Sequence, residues 1–336
     1  MASLHALDVI EAGPEHAETI ADIIRRSFAA RPVLDPPSTA TDETAASVRE
    51  SLETSGGLLV ERRGRPMGAL LFDESRPGLL GLRRVAVDPE IQARGVASAM
   101  VGVAEDTAEE RGKDGIWLHV RSELPDTVRF WERRKYVRIA GQGDATLLEF
   151  GKTLWLARET HTPEDTQALA GRLATLLQAG DLLVLSGDLG AGKTTFTQGL
   201  ADGLGVRGPV TSPTFVIART HPSLADGPAL VHVDAYRLGS AAELDDLDLD
   251  ASVADSVTVV EWGQGLAEQL APDRLHVHLE RRHARPGDPL GTRDPLGVAA
   301  GEADELAESR VITVRSYGAR WLGVPLRSTL LGGGTG

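Results

Sequence analysis

The sequence contains no cysteine. That excludes disulfides, thiolate zinc sites and a cysteine nucleophile. It suits a reducing compartment, and the cytoplasm is the expected location. No apolar segment approaches the roughly 18 residues that a membrane span needs, so no membrane partner is expected. The N-terminus lacks a basic patch followed by an apolar run, the mark of a signal peptide. Basic residues are outnumbered, 35 against 49, for a net charge of -14, and both halves of the chain are acidic. That argues against broad, charge-driven binding of bare nucleic acid by this chain alone. A local basic patch, or contact with RNA through a partner, stays open. There is no internal repeat.

At 336 residues the chain is long enough for two domains, since one domain usually takes roughly 100–200 residues. Along residues 14–30, Ile20, Ile23, Ile24 and Phe28 share one helical face. A Pro-rich stretch, 31–45, reads as a loop. Two apolar runs around Arg63-Gly64-Arg65-Pro66 read as a hairpin. A third strand, "GLLGLRRVAVDP", leads to a long helix ending near Gly112, then a strand "GIWLHVR", a short helix "DTVRFWERRKY" and two strands. The second half begins near Thr153. Thr162 and Pro163 mark a helix start. The strand "LLVLSGD", a helix from Lys193, the strands "ALVHVDAYRL" and "SVTVVEWG", and two late strands follow. Between the late strands, 281–309 is rich in Gly, Pro and charge and is expected to be a mobile loop. Residues 321–336 are expected to be a flexible tail.

The chemistry is clearest at "LSGDLGAGKTTF", where a strand ends at Ser186. Glycines at 187, 190 and 192 permit a tight path with amides pointing inward. Lys193 can reach outer phosphates and the Thr194 hydroxyl can ligate magnesium. The helix beginning there offers its positive end to an anion. The expected ATP contacts are Gly187, Asp188, Leu189, Gly190, Ala191, Gly192, Lys193, Thr194 and Thr195. Such a loop needs an acid for magnesium. Asp234 and Glu261 each end an apolar run. One of them would hold the metal and the other would position or activate the attacking water.

The pieces "GDLGAGKTTF", "VTSPTF", "HVDAYRL" and "VVEWG", in that order, resemble the TsaE family, the ATPase of bacterial tRNA threonylcarbamoyladenosine synthesis. The resemblance spans roughly residues 153–318. It implies Thr194 and Glu261 as magnesium ligands, Lys193 on the phosphates and Asp234 as the catalytic acid. Ser212, Pro213 and Thr214 would form a switch-like loop near the outer phosphate, with Ser212 and Thr214 touching ATP. Tyr236, Arg237 and Trp262 would line the neighbouring surface, although Trp262 could equally be core. The family works with a carbamoyl-transferase complex, with subunits of the TsaB and TsaD type. That complex modifies adenosine 37 of tRNAs reading codons that begin with A. Contact with tRNA would be indirect, and ATP hydrolysis would reset the complex. The segment 281–309 departs from the family's compact form, and the N-terminal half is an addition to it.

In that added half, "VAVDPEIQARGVASAM" is a strand, a turn and a helix start. Small residues at 93, 95 and 97 let amides approach a pyrophosphate. With the element order and "RFWERRKY", residues 5–152 resemble the GNAT acetyltransferases. The resemblance implies an acetyl-CoA site. Val85, Ala86 and Val87 would pair with the pantetheine arm, and Gln92, Ala93, Arg94, Gly95, Val96 and Ala97 would hold the pyrophosphate. Three positions depart from the family pattern. Trp131 stands where a Tyr acid is common, Asp126 where Asn is, and Lys135 where Gly is expected. Glu43, Asp88 or a water could serve as base. His119, a lone histidine, reads more readily as structural.

The expected fold class is α/β: an N-terminal GNAT-like mixed α+β domain, 1–152, followed by a P-loop NTPase α/β domain, 153–320. The expected function is bifunctional, joining the tRNA-modification ATPase, with ATP and magnesium, to an N-acetyltransferase. The latter would use acetyl-CoA and an amine or peptide acceptor. An alternative makes the N-terminal half a catalytically weak docking or acyl-CoA-sensing module. A further alternative is a P-loop small-molecule kinase.

Overall fold

The computed structural model describes residues 7–91, 95–139, 146–213, 217–240, 243–244, 254–282 and 309–332. The chain divides into two compact units. One is Met1–Leu154 with Trp321–Pro325, and the other is Trp155–Arg320 with Leu326–Gly336.

The first unit holds strands β1 (Asp8–Glu11), β2 (Gly57–Arg62), β3 (Arg65–Asp73), β4 (Leu79–Val87), β5 (Gly115–Arg121), β6 (Val137–Ile139) and β7 (Leu147–Thr153). They form one sheet in the order β1-β2-β3-β4-β5-β7-β6. Helices α1 (Ala17–Ala29) and α2 (Ala45–Thr54) cover one face, and α3 (Val96–Glu110) and α4 (Pro125–Arg133) belong to the other core. Ile20, Ile23 and Ile24 are buried against Leu59 and Leu71, as the helical periodicity predicts, with Phe28 packed at the margin. On the other face Met100, Val101 and Ala104 meet Leu70, Phe72, Leu118 and Phe150. Strands β4 and β5 are parallel neighbours only from Leu79↔Gly115 to Leu82↔Leu118. Beyond that the pairing ends and the two strands part. Arg84 has a φ of +54° within β4, and the β3–β4 register slips alongside it.

The second unit holds β8 (Leu156–Thr160), β9 (Leu182–Ser186), β10 (Ala218–His221), β11 (Ala229–Asp234), β12 (Ser256–Glu261), β13 (Arg274–Arg282) and β14 (Ser309–Tyr317), with α5 (Pro163–Ala174), α6 (Lys193–Leu204) and α7 (Leu326–Leu331). The sheet order is β10-β11-β12-β9-β13-β14-β8. Strands β11, β12, β9 and β13 run parallel, and ligands in such sheets lie beyond the carboxyl ends of the strands. Thr162 caps α5 as expected. Its hydroxyl accepts from Asp165 N at 3.0 Å, and Asp165 Oδ2 accepts from Thr162 N at 3.0 Å. A Cβ on Gly199 of α6 would collide with the Gln167 backbone of α5. Glycine there lets the two helices touch at backbone distance.

Two expectations change. Trp321 is fully buried, and Leu326–Leu331 is helical with Leu326 and Leu330 buried. The Gly-rich end of the sequence masks that i, i+4 apolar pair, so this part of the expected flexible tail is packed structure. Within 281–309, Arg281, Arg282 and Ser309 are strand residues, with Arg282 paired to Ser309. The rest of that segment lies outside the described residues.

Candidate functional site

The nucleotide-site residues come together at the carboxyl ends of β9, β12 and β11. Parallel register sets Asp234 beside Glu261 and Glu261 beside Leu185. The two acids therefore lie on one side of the strand end from which the glycine loop departs, Glu261 on the adjacent strand and Asp234 one strand further. Gly187 has a φ of +134°, Gly190 +74° and Gly192 +103°. A Cβ at Gly187 would run into the Leu279 carbonyl, so the close approach requires glycine. Ala191 is buried, while Leu189 at the loop tip is 80% exposed. Thr195 is half-buried in the first turn of α6.

Lys193 opens α6 with its side chain folded back along the loop. Its Nζ donates to the carbonyls of Gly187 at 2.8 Å and Asp188 at 2.9 Å. Burial lowers its pKa, against the opposing charges of Glu261, Asp234 and Asp188. A phosphate in the loop would compete with these carbonyls for the ammonium, and a charge-assisted bond is the stronger. The Lys193 ammonium also lies 3.6 Å from the Trp262 ring centroid, and Trp262 in turn packs on Tyr236 at 5.2 Å. Trp262 is half-buried, a wall of the site and not a core residue.

The two acids are dressed differently. Glu261, 2% exposed, accepts from the Thr194 hydroxyl at 3.1 Å and the Thr197 hydroxyl at 3.4 Å. His232 Nε2 meets its Oε1 at 2.8 Å. Asp234 Oδ2 accepts from Ser212 at 2.7 Å and its Oδ1 from the Tyr236 amide at 3.0 Å. The pairing of Thr194 with Glu261 sets together one hydroxyl and one carboxylate. That oxygen donor set fits magnesium, which keeps several waters and takes phosphate oxygens. No cluster of three or more His, Asp or Glu able to hold a metal exists among the described residues. Thr214 lies outside the described residues.

His232, Thr197 and Arg281 were not singled out in the sequence. His232 is two residues before Asp234 in "HVDAYRL", and strand alternation puts both on one face, which is a signal that could have found it. Arg281 donates through two nitrogens to the Gly190 carbonyl, at 3.1 and 2.8 Å. It comes from β13, and no local pattern links it to the loop.

The first unit contains a cleft of about 680 Å³ where β4 and β5 part, lined among others by Val85, Val87, Ala97, Trp117, His119, Asp126 and Trp131. Ala86 belongs to the opposite core, because the irregularity at Arg84 inverts the alternation. Gly95, at φ +105°, caps α3, and Val96 is buried. Gln92, Ala93 and Arg94 lie outside the described residues. Lys135, where glycine was expected, adopts a φ of +66°, so the turn keeps its left-handed shape at the cost of strain. Trp131 packs edge-on against Tyr136 at 4.8 Å. Tyr136 is held away from the cleft, its hydroxyl donating to Glu105 at 3.1 Å, and burial raises its pKa well above the usual value.

The two acids considered as base are both engaged elsewhere. Burial alone would raise the Glu43 carboxyl, but hydrogen bonds from Ser47 and Arg84 and the charges of Arg84 and Arg83 hold it below its ordinary value. Asp88, 3% exposed, is paired with Arg26 at 2.8 Å. His119, read from sequence as structural, lines the cleft with its side chain 40% exposed.

Among known proteins, the family model described as threonylcarbamoyl adenosine biosynthesis protein TsaE matches residues 160–287. The acetyltransferase (GNAT) family model matches residues 18–136. The tRNA threonylcarbamoyladenosine biosynthesis protein TsaE of Streptomyces coelicolor is 57% identical over 155 residues, which is 46% of this chain and 91% of that protein. The protein of the same name from Bacillus subtilis is 44% identical over 124 residues, 36% of this chain and 75% of that one. A crystal structure of Bacillus subtilis YdiB, 34% identical, covers 50% of this chain and 89% of its own, with a TM-score of 0.35. None of these findings favours the kinase.

Proposed function

The chain belongs to the TsaE family, with a GNAT-family domain ahead of the matching segment, and we propose that it hydrolyses magnesium-bound ATP in tRNA threonylcarbamoyladenosine synthesis and takes acetyl-CoA in its N-terminal cleft. The observation that carries the ATPase reading is the meeting of Thr194 with Glu261 beside the glycine loop.

In this reading the loop amides and Lys193 bind the phosphates. Thr194 and Glu261 hold magnesium, which would neutralise charge on the outer phosphates. Glu261 keeps its orientation through Thr197 and His232. Asp234, set one strand away and held by Ser212, orients the attacking water. Ser212 links that acid to the segment containing Thr214. The partners would be the carbamoyl-transferase subunits of the TsaB and TsaD type, with tRNA reached through them, in the cytoplasm. The proposed domains are 1–152 and 153–320 of the sequence reading, to which the compact units add the segments after Arg320. In the first domain the open edge of β4 offers backbone groups to an extended cofactor arm, and Gly95 opens the helix start where a pyrophosphate would sit.

One observation favours a second reading of the N-terminal half. No tyrosine lines the cleft among the described residues, and Trp131 fills the place of the Tyr acid. That suits a weakly catalytic docking or acyl-CoA-sensing module.

The test of the ATPase reading is threonylcarbamoylation of tRNA by the reconstituted carbamoyl-transferase complex, with wild type or Lys193→Ala. The variant should lose ATP turnover and product formation by at least about 100-fold, since a charge-assisted contact is worth roughly 1.5–3 kcal/mol in binding alone and more at the transition state. Unchanged turnover would overturn the site assignment.

A further inference from the structure

We propose that His119 takes the proton of the amine acetylated in the N-terminal cleft. The proposal rests on the reading of the cleft as an acetyl-CoA site.

The position follows from the fork. Strands β4 and β5 are hydrogen-bonded up to Leu82↔Leu118. An extended thioester arm lying along the open edge of β4 must stop where β5 closes that edge. Leu82 and Leu118 both point into the core shared with α3. Alternation therefore sends the next residue on each strand, Arg83 and His119, to the opposite face. Both line the cleft. The imidazole thus stands at the end of the arm's path, where a reacting carbonyl would come to rest.

The alternatives at the site are occupied. Asp126 lines the cleft but is paired with Arg129 at 2.8 Å and held below the usual carboxylate range by that hydrogen bond. Glu43 and Asp88 are ion-paired with Arg84 and Arg26. The acid nearest His119 is Glu149 on β7, 3.8 Å away, and Arg76 already binds both its oxygens. Asp73 on β3, Arg83 on β4, Arg121 on β5 and Asp126 on α4 complete the charged surroundings, and Trp117 meets the ring edge-on at 5.3 Å. Burial lowers the His119 pKa, with Glu149 and Asp73 opposing and Arg76 reinforcing. Burial thus favours the neutral imidazole, the form able to accept a proton.

The reaction balances without a tyrosine. The amine nitrogen bonds to the thioester carbonyl carbon and gives its proton to His119. The carbon–sulfur bond breaks with its electron pair leaving on sulfur. His119 returns the proton to that thiolate, so the products are the amide and the free thiol.

The test uses the full chain. Calorimetry measures acetyl-CoA binding to wild type and His119→Gln, and doubles as the folding control. Thiol release is then followed across pH with a mixed-sequence peptide pool that carries free α-amines and lysines. In the wild type kcat/KM should rise as pH climbs through the His119 titration. The variant should bind acetyl-CoA within about twofold, lose about 100-fold or more in kcat, and lose that rise. A variant with wild-type rate and profile, or binding without transfer by wild type, would each overturn the proposal while leaving the cofactor site standing. No acetyl-CoA binding by wild type would remove the underlying reading as well.

Discussion

The Lys193 ammonium lies 3.6 Å from the centre of the Trp262 ring, and Trp262 takes a left-handed φ of +60° there. A non-glycine residue in that region carries strain, so the surroundings must hold it. The strand-end Glu261 and this turn together place an aromatic face under the phosphate-binding lysine. Nucleotide binding should draw the ammonium from the ring toward phosphate. The expected outcome is a change in Trp262 emission on adding magnesium and ATP, absent in Lys193→Met and in Trp262→Phe, with Trp262→Phe still binding nucleotide by calorimetry. Binding with unchanged wild-type emission would contradict the account.

His232 and Glu261 are both buried and meet at 2.8 Å. Groups that orient a metal ligand from behind typically change metal affinity by about 10–100-fold. His232→Leu should weaken ATP binding about tenfold in the presence of magnesium and leave metal-free binding unchanged. His232→Gln, which keeps a donor, should recover part of the loss. Equal losses with and without metal would mean that His232 serves only packing.

Gly187 and Gly205 separate conformation from crowding. Both have positive φ, +134° and +65°. A Cβ at Gly187 would strike the Leu279 carbonyl, whereas one at Gly205 meets nothing within 4 Å. Gly187→Ala should cost about 1–3 kcal/mol of stability and abolish nucleotide binding. Gly205→Ala should cost about 1–2 kcal/mol and leave binding intact. Thermal melts and calorimetry on both variants check this, and equal melting shifts would refute the crowding argument.

The first unit should lose stability in acid through Glu149. Its carboxyl is held below the usual value chiefly by the hydrogen bonds from Arg76, with burial opposing. A lowered folded-state pKa means that the unfolded chain binds the proton first. The contribution is therefore present above about pH 4.5 and fades as pH falls through the folded pKa. Urea melts between pH 7 and 3 should show a smaller acid loss in Glu149→Gln than in wild type. Parallel loss in both would contradict the assignment.

The nucleotide site was legible because its parts are local. A glycine loop, a lysine, a hydroxyl and two strand-end acids each stand next to an apolar run. What sequence could not give is the pairing of parts. Thr194 meets Glu261 and not Asp234 because β12, not β11, neighbours β9 in the sheet, and chain order does not encode strand order. Arg281 reaches Gly190 from a distant strand for the same reason. In the other half, Val85, Ala86 and Val87 were read as one run along the cofactor arm; the irregularity at Arg84 sets which face each takes, with Val85 and Val87 packed toward the core of α3 and Ala86 toward that of α1. Short strands at sheet edges, β1, β8 and β10, escaped notice because four or five residues carry too little periodicity. Helix α2 did too, in the shadow of the Pro-rich loop before it.

The most direct measurement is an ATP titration by calorimetry, with and without magnesium, on wild type, Glu261→Gln and Asp234→Asn. The account predicts that Glu261→Gln loses the magnesium-dependent part of the affinity. Asp234→Asn should keep it within about threefold and lose turnover instead. Equal loss of magnesium-dependent binding in both variants would contradict the division of labour between the two acids.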